Sequence, residues 1–321
     1  MAALRRLATT GLCVVLALML AVLTFAFALR WVDVATREVA ALQAVLPLSG
    51  AGIVAVTIVA LVCRFWRLLL AGALVSVAVA ALAVAALLPA SVPATPGALP
   101  VTVLSSNLEF GGADAGQLVA AVRSQHADVA VMVELTPAAV SRLEAAGLDT
   151  ELPYAVGRAE VGSTGAMIRS RWPLTLFDEG RGTGGSLFWE PYASVQSPAG
   201  VFRVKAVHTR QPIASPSGWQ QDLRVIGDWQ RAQPTSEPLV LAGDFNASIA
   251  HPAYRLMADG LVDAHRATGQ GWVRTWPQGR RVPPLVQLDH VLERGFEALD
   301  AGVVGVAGTD HAAVWARLAL P

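Results

Sequence analysis

Groups that bind hard cations and move protons close a series of apolar runs in the C-terminal two thirds of this 321-residue chain. Asn107 ends VTVLSSN, Glu134 ends DVAVMVE and His208 ends VFRVKAVH. Asp244 and Asn246 follow PLVLAG within GDFN, Asp289 and His290 interrupt LVQLDHVL, and Asp310 and His311 precede AAVWARL. Carboxylate and amide oxygens suit a hard divalent cation. Histidines and carboxylates serve in general acid–base steps. Taken singly, each group is also what an ordinary turn after a strand presents. Sequence spacing alone does not bring them together.

The elements that would position these groups are short β-branched runs alternating with amphipathic segments. Strands are expected at Val101 to Ser106, Asp128 to Val133, Val201 to Val207, Pro238 to Leu241, Gln287 to Leu292 and Ala312 to Leu318. Helical spacing covers Ala115 to Gln125, Pro137 to about Ala146, and Ser217 to Arg231. The order suits a layered domain, either α+β or α/β, and periodicity does not choose between them. Strand ends converge at one edge of a sheet, so the polar groups named above are placed to share that edge.

The first 90 residues are of another kind. The chain is 54% hydrophobic with a mean hydropathy of +0.50, and the excess is concentrated here. Uncharged stretches run from Gly11 to Leu29, Val39 to Cys63 and Leu68 to Ala90. Each approaches or exceeds the roughly 20 residues that cross a bilayer core. The expectation is an all-α membrane region of three transmembrane helices over 1–90, a linker over 91–100 (SVPATPGALP) and a catalytic domain over 101–321. A cleaved signal peptide explains the first stretch but not three. Arg5, Arg6, Arg64 and Arg67 fall on one side, against Arg30 and Arg37 on the other. The positive-inside bias therefore predicts a multi-pass protein of the cytoplasmic membrane with its catalytic domain extracytoplasmic.

Cys13 and Cys63 are the only cysteines and lie in different apolar stretches, which excludes a disulfide framework and any cysteine-based site in the domain. Residues 1–100 hold six arginines and two acids, net +4; residues 101–321 hold 18 basic and 22 acidic residues, net −4. A mildly acidic domain is poorly suited to gripping nucleic acid through its backbone. Abundant Arg, Ala and Val with a single lysine, Lys205, fit a high-GC bacterial source.

The ordered series SSNLEFG, VMVEL, TGAMIRSRWPL, VHTR, LAGDFNAS, QLDHVL and GTDHAAV resembles the endonuclease/exonuclease/phosphatase superfamily over nearly all of residues 101 to 316. The resemblance implies an α+β, four-layer αββα sandwich with a metal-dependent site at one end, and with it a phosphoester hydrolase. It implies Glu134 as the main metal carboxylate, with Asn107 and Asp310 as further ligands or orienting groups and Mg²⁺ or Mn²⁺ as the ion. It also implies Asp244 orienting or deprotonating the attacking water, Asn246 donating to the phosphoryl group, and His311 in phosphate contact or proton transfer, held by Asp289. His208 resembles the second histidine of the deoxyribonuclease and sphingomyelinase branches. Two departures stand out: Thr309 where serine is commoner, and Glu109, which does not clearly match the second acid sometimes found near Asn107.

Trp272 and Trp276 read either as core packing or as a substrate-facing wall. Arg274, Arg280 and Arg281 read as solvated surface or as contacts for an anionic substrate. Trp276 and Arg274 are the candidate substrate contacts. Tethering to a membrane makes a lipid-linked phosphate or cell-envelope phosphoester the expected substrate, and the organisation is similar to membrane-anchored bacterial members of the family. An extracytoplasmic nuclease or nucleotide phosphodiesterase is the alternative, and a non-catalytic binding protein of the same fold the second. No protein partner is indicated.

Overall fold

The computed structural model describes residues 1–89, 97–180 and 186–320. Two six-stranded sheets form the C-terminal part. The first runs β11 (Glu297–Val304), β12 (Ala313–Ala319), β1 (Pro100–Asn107), β2 (Val129–Val133), β4 (Ala166–Ser170), β3 (Tyr154–Arg158). The second runs β5 (Leu174–Asp178), β6 (Tyr192–Ser197), β7 (Gly200–His208), β8 (Leu239–Asp244), β10 (Asp289–Arg294), β9 (Val262–Asp263). Each has one parallel pair at its centre, β1 with β2 and β7 with β8, flanked by antiparallel neighbours. These central strands are buried on both faces, and that is why VTVL, VAVMV and LVLA read as near-continuous apolar runs.

Alternation along the strands builds three apolar layers. Val101, Val103, Val129, Val131 and Val133 of the first sheet meet Phe202, Val204, Ala206, Val240 and Ala242 of the second in the central core. The opposite face of the first sheet, through Leu104, Ala130 and Met132, lies under α5 (Ala115–Ser124) and α6 (Pro137–Ala145). Val207, Leu239, Leu241 and Leu292 of the second lie under α7 (Pro216–Ala232) and α8 (Pro252–Met257). Helix, sheet, sheet and helix stack in that order, as an α+β sandwich. Local chemistry agrees: Asp114 Oδ1 accepts from Gln117 N–H at 2.9 Å to start α5, and Thr136 followed by Pro137 starts α6.

Register sets the site. His208 pairs with Asp244 across β7 and β8, and Asp244 pairs with Asp289 across β8 and β10. Three side chains distant in sequence therefore stand in one row at the end of the second sheet. Across from them, β1 ends in Asn107 opposite Val133, with Glu134 next.

The N-terminal part forms α1 (Ala2–Ala28), α2 (Arg37–Ala44), α3 (Leu46–Val62) and α4 (Trp66–Leu87). Of these, α1 and α4 are long and apolar enough to cross a membrane. The expected second span, Val39 to Cys63, is not one straight helix: α2 and α3 are bent by 64° at their junction. Pro47 lies in the first turn of α3, where it has no N–H for the carbonyl four residues back and its ring would clash there, so the helix of α2 cannot run on through it. Among the described residues the candidate spans therefore number two, or three if the bent pair counts as one.

These helices pack directly on the sandwich. Ala250 is buried in one cluster with Phe27, Leu46 and Ile53, and Ala40 in another with Trp219, Phe245 and Tyr254. Arg255 donates to the carbonyl of Arg30 at 2.6 Å, Gln220 to Asp33 at 2.7 Å, and Gly271 N–H to the carbonyl of Ala86 at 3.0 Å. The linker expected over residues 91–100 lies mostly outside the described residues.

Candidate active site

Asn107, Glu134, His208, Asp244, Asn246, Asp289 and His311 are all buried at the shared end of the two sheets. The Asn107 amide nitrogen donates to Glu134 Oε1 at 3.1 Å and to Asp244 Oδ2 at 3.0 Å, bridging the sheets. Its amide oxygen accepts from Glu109 N–H at 2.9 Å, so Asn107 orients the two carboxylates. Glu134 Oε2 accepts from Phe110 N–H at 2.8 Å. Asp244 Oδ1 accepts from Asn246 N–H at 2.8 Å, and the Asn246 amide donates to Thr209 O at 3.0 Å. His208 Nε2 lies 3.7 Å from Glu134 and 3.9 Å from Asp244.

His311 faces the same centre. Its Nδ1 is 2.8 Å from Asp289 Oδ2, and its Nε2 is 3.7 Å from Asp244 and 3.8 Å from Asp310. Burial disfavours the imidazolium, yet the carboxylates of Asp289 and Asp244 outweigh it and raise the His311 pKa to about 10. Burial also pushes Asp244 up to about 7, against the pull of His311 and with the repulsion of Asp289. His208 is the reverse case: burial, then His311, lowers it to about 3, so it stands neutral against the Phe188 ring at 4.2 Å. Glu134 is also raised, chiefly by burial and in part by Asp310.

The backbone is unusual at these positions. Glu109, Phe110, Glu134 and Asn246 all have positive φ, between 44° and 54°. Non-glycine residues adopt this region at a cost, and such strain gathers at functional sites.

A divalent cation fits this donor set. Burial raises the pKa of Glu134 and of Asp244, and the carboxylates of Asp310 and Asp289 respectively add to it, a penalty that a cation offsets. The ligand atoms of Asp244, Asp289 and His311 lie within 4.8 Å of one another, and Asp289 Oδ1 is buried with no hydrogen-bond partner. In this structure His311 is paired to Asp289 as a cation, and a protonated ring offers no lone pair to a metal. Glu134 and Asp310 are hard-oxygen donors at the same centre.

Of the expected substrate contacts, Trp276 donates to Asp310 Oδ2 at 3.0 Å, at the rim. The Arg274 guanidinium stands over the Trp272 ring, 5.7 Å from its centroid. Glu109 does reach the rim: Arg280 hydrogen-bonds its carboxylate and lies 3.9 Å from Asp310.

Sequence reasoning missed the threonines that tie the motifs together. Thr309 Oγ1 donates to the Asn107 carbonyl at 2.8 Å and accepts from His311 N–H at 3.1 Å. Thr275 Oγ1 accepts from the amides of Leu288 and Asp289, and its carbonyl accepts from Ala312 N–H. Only Thr309 carried a signal, as the residue preceding Asp-His.

The profile of the Endonuclease/Exonuclease/phosphatase family matches residues 104–311. No curated protein matches the sequence. Among solved structures, TDP2 of D. rerio complexed with a single-strand DNA product has a TM-score of 0.55 at 16% identity, covering 68% of this chain and 98% of its own. A functionally unknown protein of Enterococcus faecalis V583 gives 0.54 at 15%, covering 69% and 100%. A family protein of Bacteroides thetaiotaomicron gives 0.53 at 14%, covering 70% and 99%. At these identities the likeness concerns the fold.

Proposed function

Because the chain belongs to the endonuclease/exonuclease/phosphatase family of phosphoester hydrolases, we propose that it is a membrane-anchored member acting with Mg²⁺ or Mn²⁺ on a lipid-linked phosphate or cell-envelope phosphoester. The observation that carries the membrane part is the position of Ala250, packed among Phe27, Leu46 and Ile53. It lies four residues from Asn246, a stretch that spans at most about 14 Å. Direct packing, more than linker length, holds the site beside the apolar helices. The outer ends of α1 and α4 reach the loops that follow Asn246 and precede Trp272. The positive-inside bias then puts the domain outside the cytoplasmic membrane. Phe110, Trp272 and Trp276, on segments that adjoin the site, are 62%, 45% and 38% exposed, an apolar rim suited to a lipid interface.

In this reading Glu134 and Asp310 would hold the cation, with Asn107 orienting Glu134. When bound, the cation polarises a phosphoryl oxygen and offsets its charge. Asp244, fixed by Asn107 and by the amide of Asn246, takes a proton from the attacking water. Asn246 and the charged His311 donate to phosphoryl oxygens as negative charge builds there. Asp289 fixes the tautomer and charge of His311, and neutral His208 is a further donor.

The test is release of phosphate or headgroup by the full chain, reconstituted with Mg²⁺ or Mn²⁺, from lipid diphosphates and phospholipids. Plasmid and single-stranded DNA run in parallel. Lipid turnover lost in Asp244→Ala supports the proposal; cleavage of DNA alone overturns the substrate class.

A further inference from the structure

The loop that carries Asn246 is held from three sides. Thr209 Oγ1 donates to the Phe245 carbonyl at 2.6 Å, and Trp219 Nε1 donates to the same oxygen at 3.3 Å. His251 closes the far end: its Nδ1 accepts from Ser248 N–H at 2.8 Å, and its ring meets Trp219 edge to face at 5.1 Å. Burial lowers the His251 pKa to about 4, so the ring is neutral at ordinary pH. With Nδ1 acting as acceptor, the ring proton sits on Nε2, and Nε2 faces the carbonyl of Ala40 at 3.0 Å.

Ala40 belongs to α2, the short helix turned 64° away from α3. Its placement is specified. Thr36 Oγ1 accepts from Val39 N–H to start the helix, while Gln43 Nε2 donates to the carbonyls of Leu29 at 2.7 Å and Val32 at 2.8 Å. Ala40 is 2% exposed and packs in the same cluster as Trp219 and Phe245. A segment that only led the chain into α3 needs none of these bonds. Here α2 completes the wall behind the Asn246 loop.

We propose that α2 is a positioning element of the active site, and that His251, held between Ala40 and Ser248, transmits its docking to Asn246. Activity then depends on how residues 29–45 are seated, and through them on the helices they join. The kinetic consequence rests on the phosphoester hydrolase reading; the structural consequence does not.

Two substitutions in the full chain separate this from local turn chemistry. In His251→Asn, the side-chain oxygen still accepts from Ser248 N–H but the side chain no longer reaches Ala40. Ala40→Leu leaves His251 intact and lifts α2 from its seat. Each is expected to lower kcat on a soluble chromogenic phosphodiester about tenfold, the scale of one lost buried hydrogen bond. KM should change far less. Backbone amide exchange over residues 245–250 should accelerate by a similar factor while α5 and α6 keep their protection. His251→Gln, which can still donate towards Ala40, should recover part of both effects. Wild-type kcat and exchange in both variants would overturn the proposal, as would acceleration spread evenly over the sandwich. If the wild-type protein turns over no phosphoester, the functional reading falls and the exchange pattern alone decides this inference.

Discussion

Nδ1 of His311 lies 2.8 Å from Oδ2 of Asp289, and both side chains are buried beside Asp244. The pair fixes which ring nitrogen faces the centre and keeps the ring charged. Asp289→Asn would leave the shape but remove the charge that offsets burial of the imidazolium. We expect kcat to fall by about 10²- to 10⁴-fold, the range for loss of a positioned acid–base group. Divalent-cation affinity, followed by calorimetric titration, should change little, because Asp289 is not assigned to the cation. A large loss of affinity with kcat preserved would instead make Asp289 a ligand.

Asn246 combines a positive φ of 46° with an amide held by Thr209 O and near Asp244. Asn246→Ala and Asn246→Gly should both lose about 10²- to 10³-fold in kcat, as when one donor to a developing oxyanion is removed. Glycine accepts this backbone without strain, so only the alanine variant should also lose thermal stability. Activity restored by glycine would mean that Asn246 serves the turn and not the phosphate.

Gly243 is the backbone counterpart. Its φ is +150°, and a Cβ there would lie 1.9 Å from the carbonyl oxygen of Val207. That oxygen belongs to the strand ending in His208, so the clash would part β7 from β8. Gly243→Ala should destabilise the fold by more than the roughly 1–3 kcal/mol of backbone strain alone. Thermal melting checks this, and a variant within 1 °C of wild type would contradict the packing described.

His251 gives a pH signature. Its folded-state pKa is lowered to about 4 from 6.5, so the unfolded chain binds the proton first as pH falls. Its contribution is complete above pH 6.5, is lost between pH 6.5 and about 4, and amounts to about 3 kcal/mol in full. Relative to wild type, His251→Gln should therefore be least stable near neutrality and recover towards pH 4, as read by chemical denaturation across that range. A stability difference independent of pH would show that the ring is not buried neutral.

Much of this was legible because buried central strands are apolar on both faces and end in polar residues. VTVLSSN, DVAVMVE and VFRVKAVH became strands within a residue of their expected bounds, the one expected at Pro238 to Leu241 runs on to Asp244, and the polar side chain that closes each is buried. Strands at or beside the sheet edges escaped for the opposite reason. In Leu174–Asp178 no residue is buried, and in Glu297–Val304 burial is interrupted, so neither shows a clean apolar pattern. Pro47 was visible within the apolar stretch, yet the stretch reads as one span, and the turning of α2 onto Trp219 and His251 depends on a surface more than 170 residues away. The ties through Thr275 and Thr309 are likewise tertiary, single hydroxyls without periodic signal.

The most direct test of the central claim is divalent-dependent hydrolysis of a simple phosphodiester by the full chain, in wild type and Asp244→Ala. Activity that is abolished by chelation, restored by Mg²⁺ or Mn²⁺, and absent from folded Asp244→Ala at every cation concentration is the predicted result. Hydrolysis that persists under chelation, or that Asp244→Ala retains in full, would contradict the account.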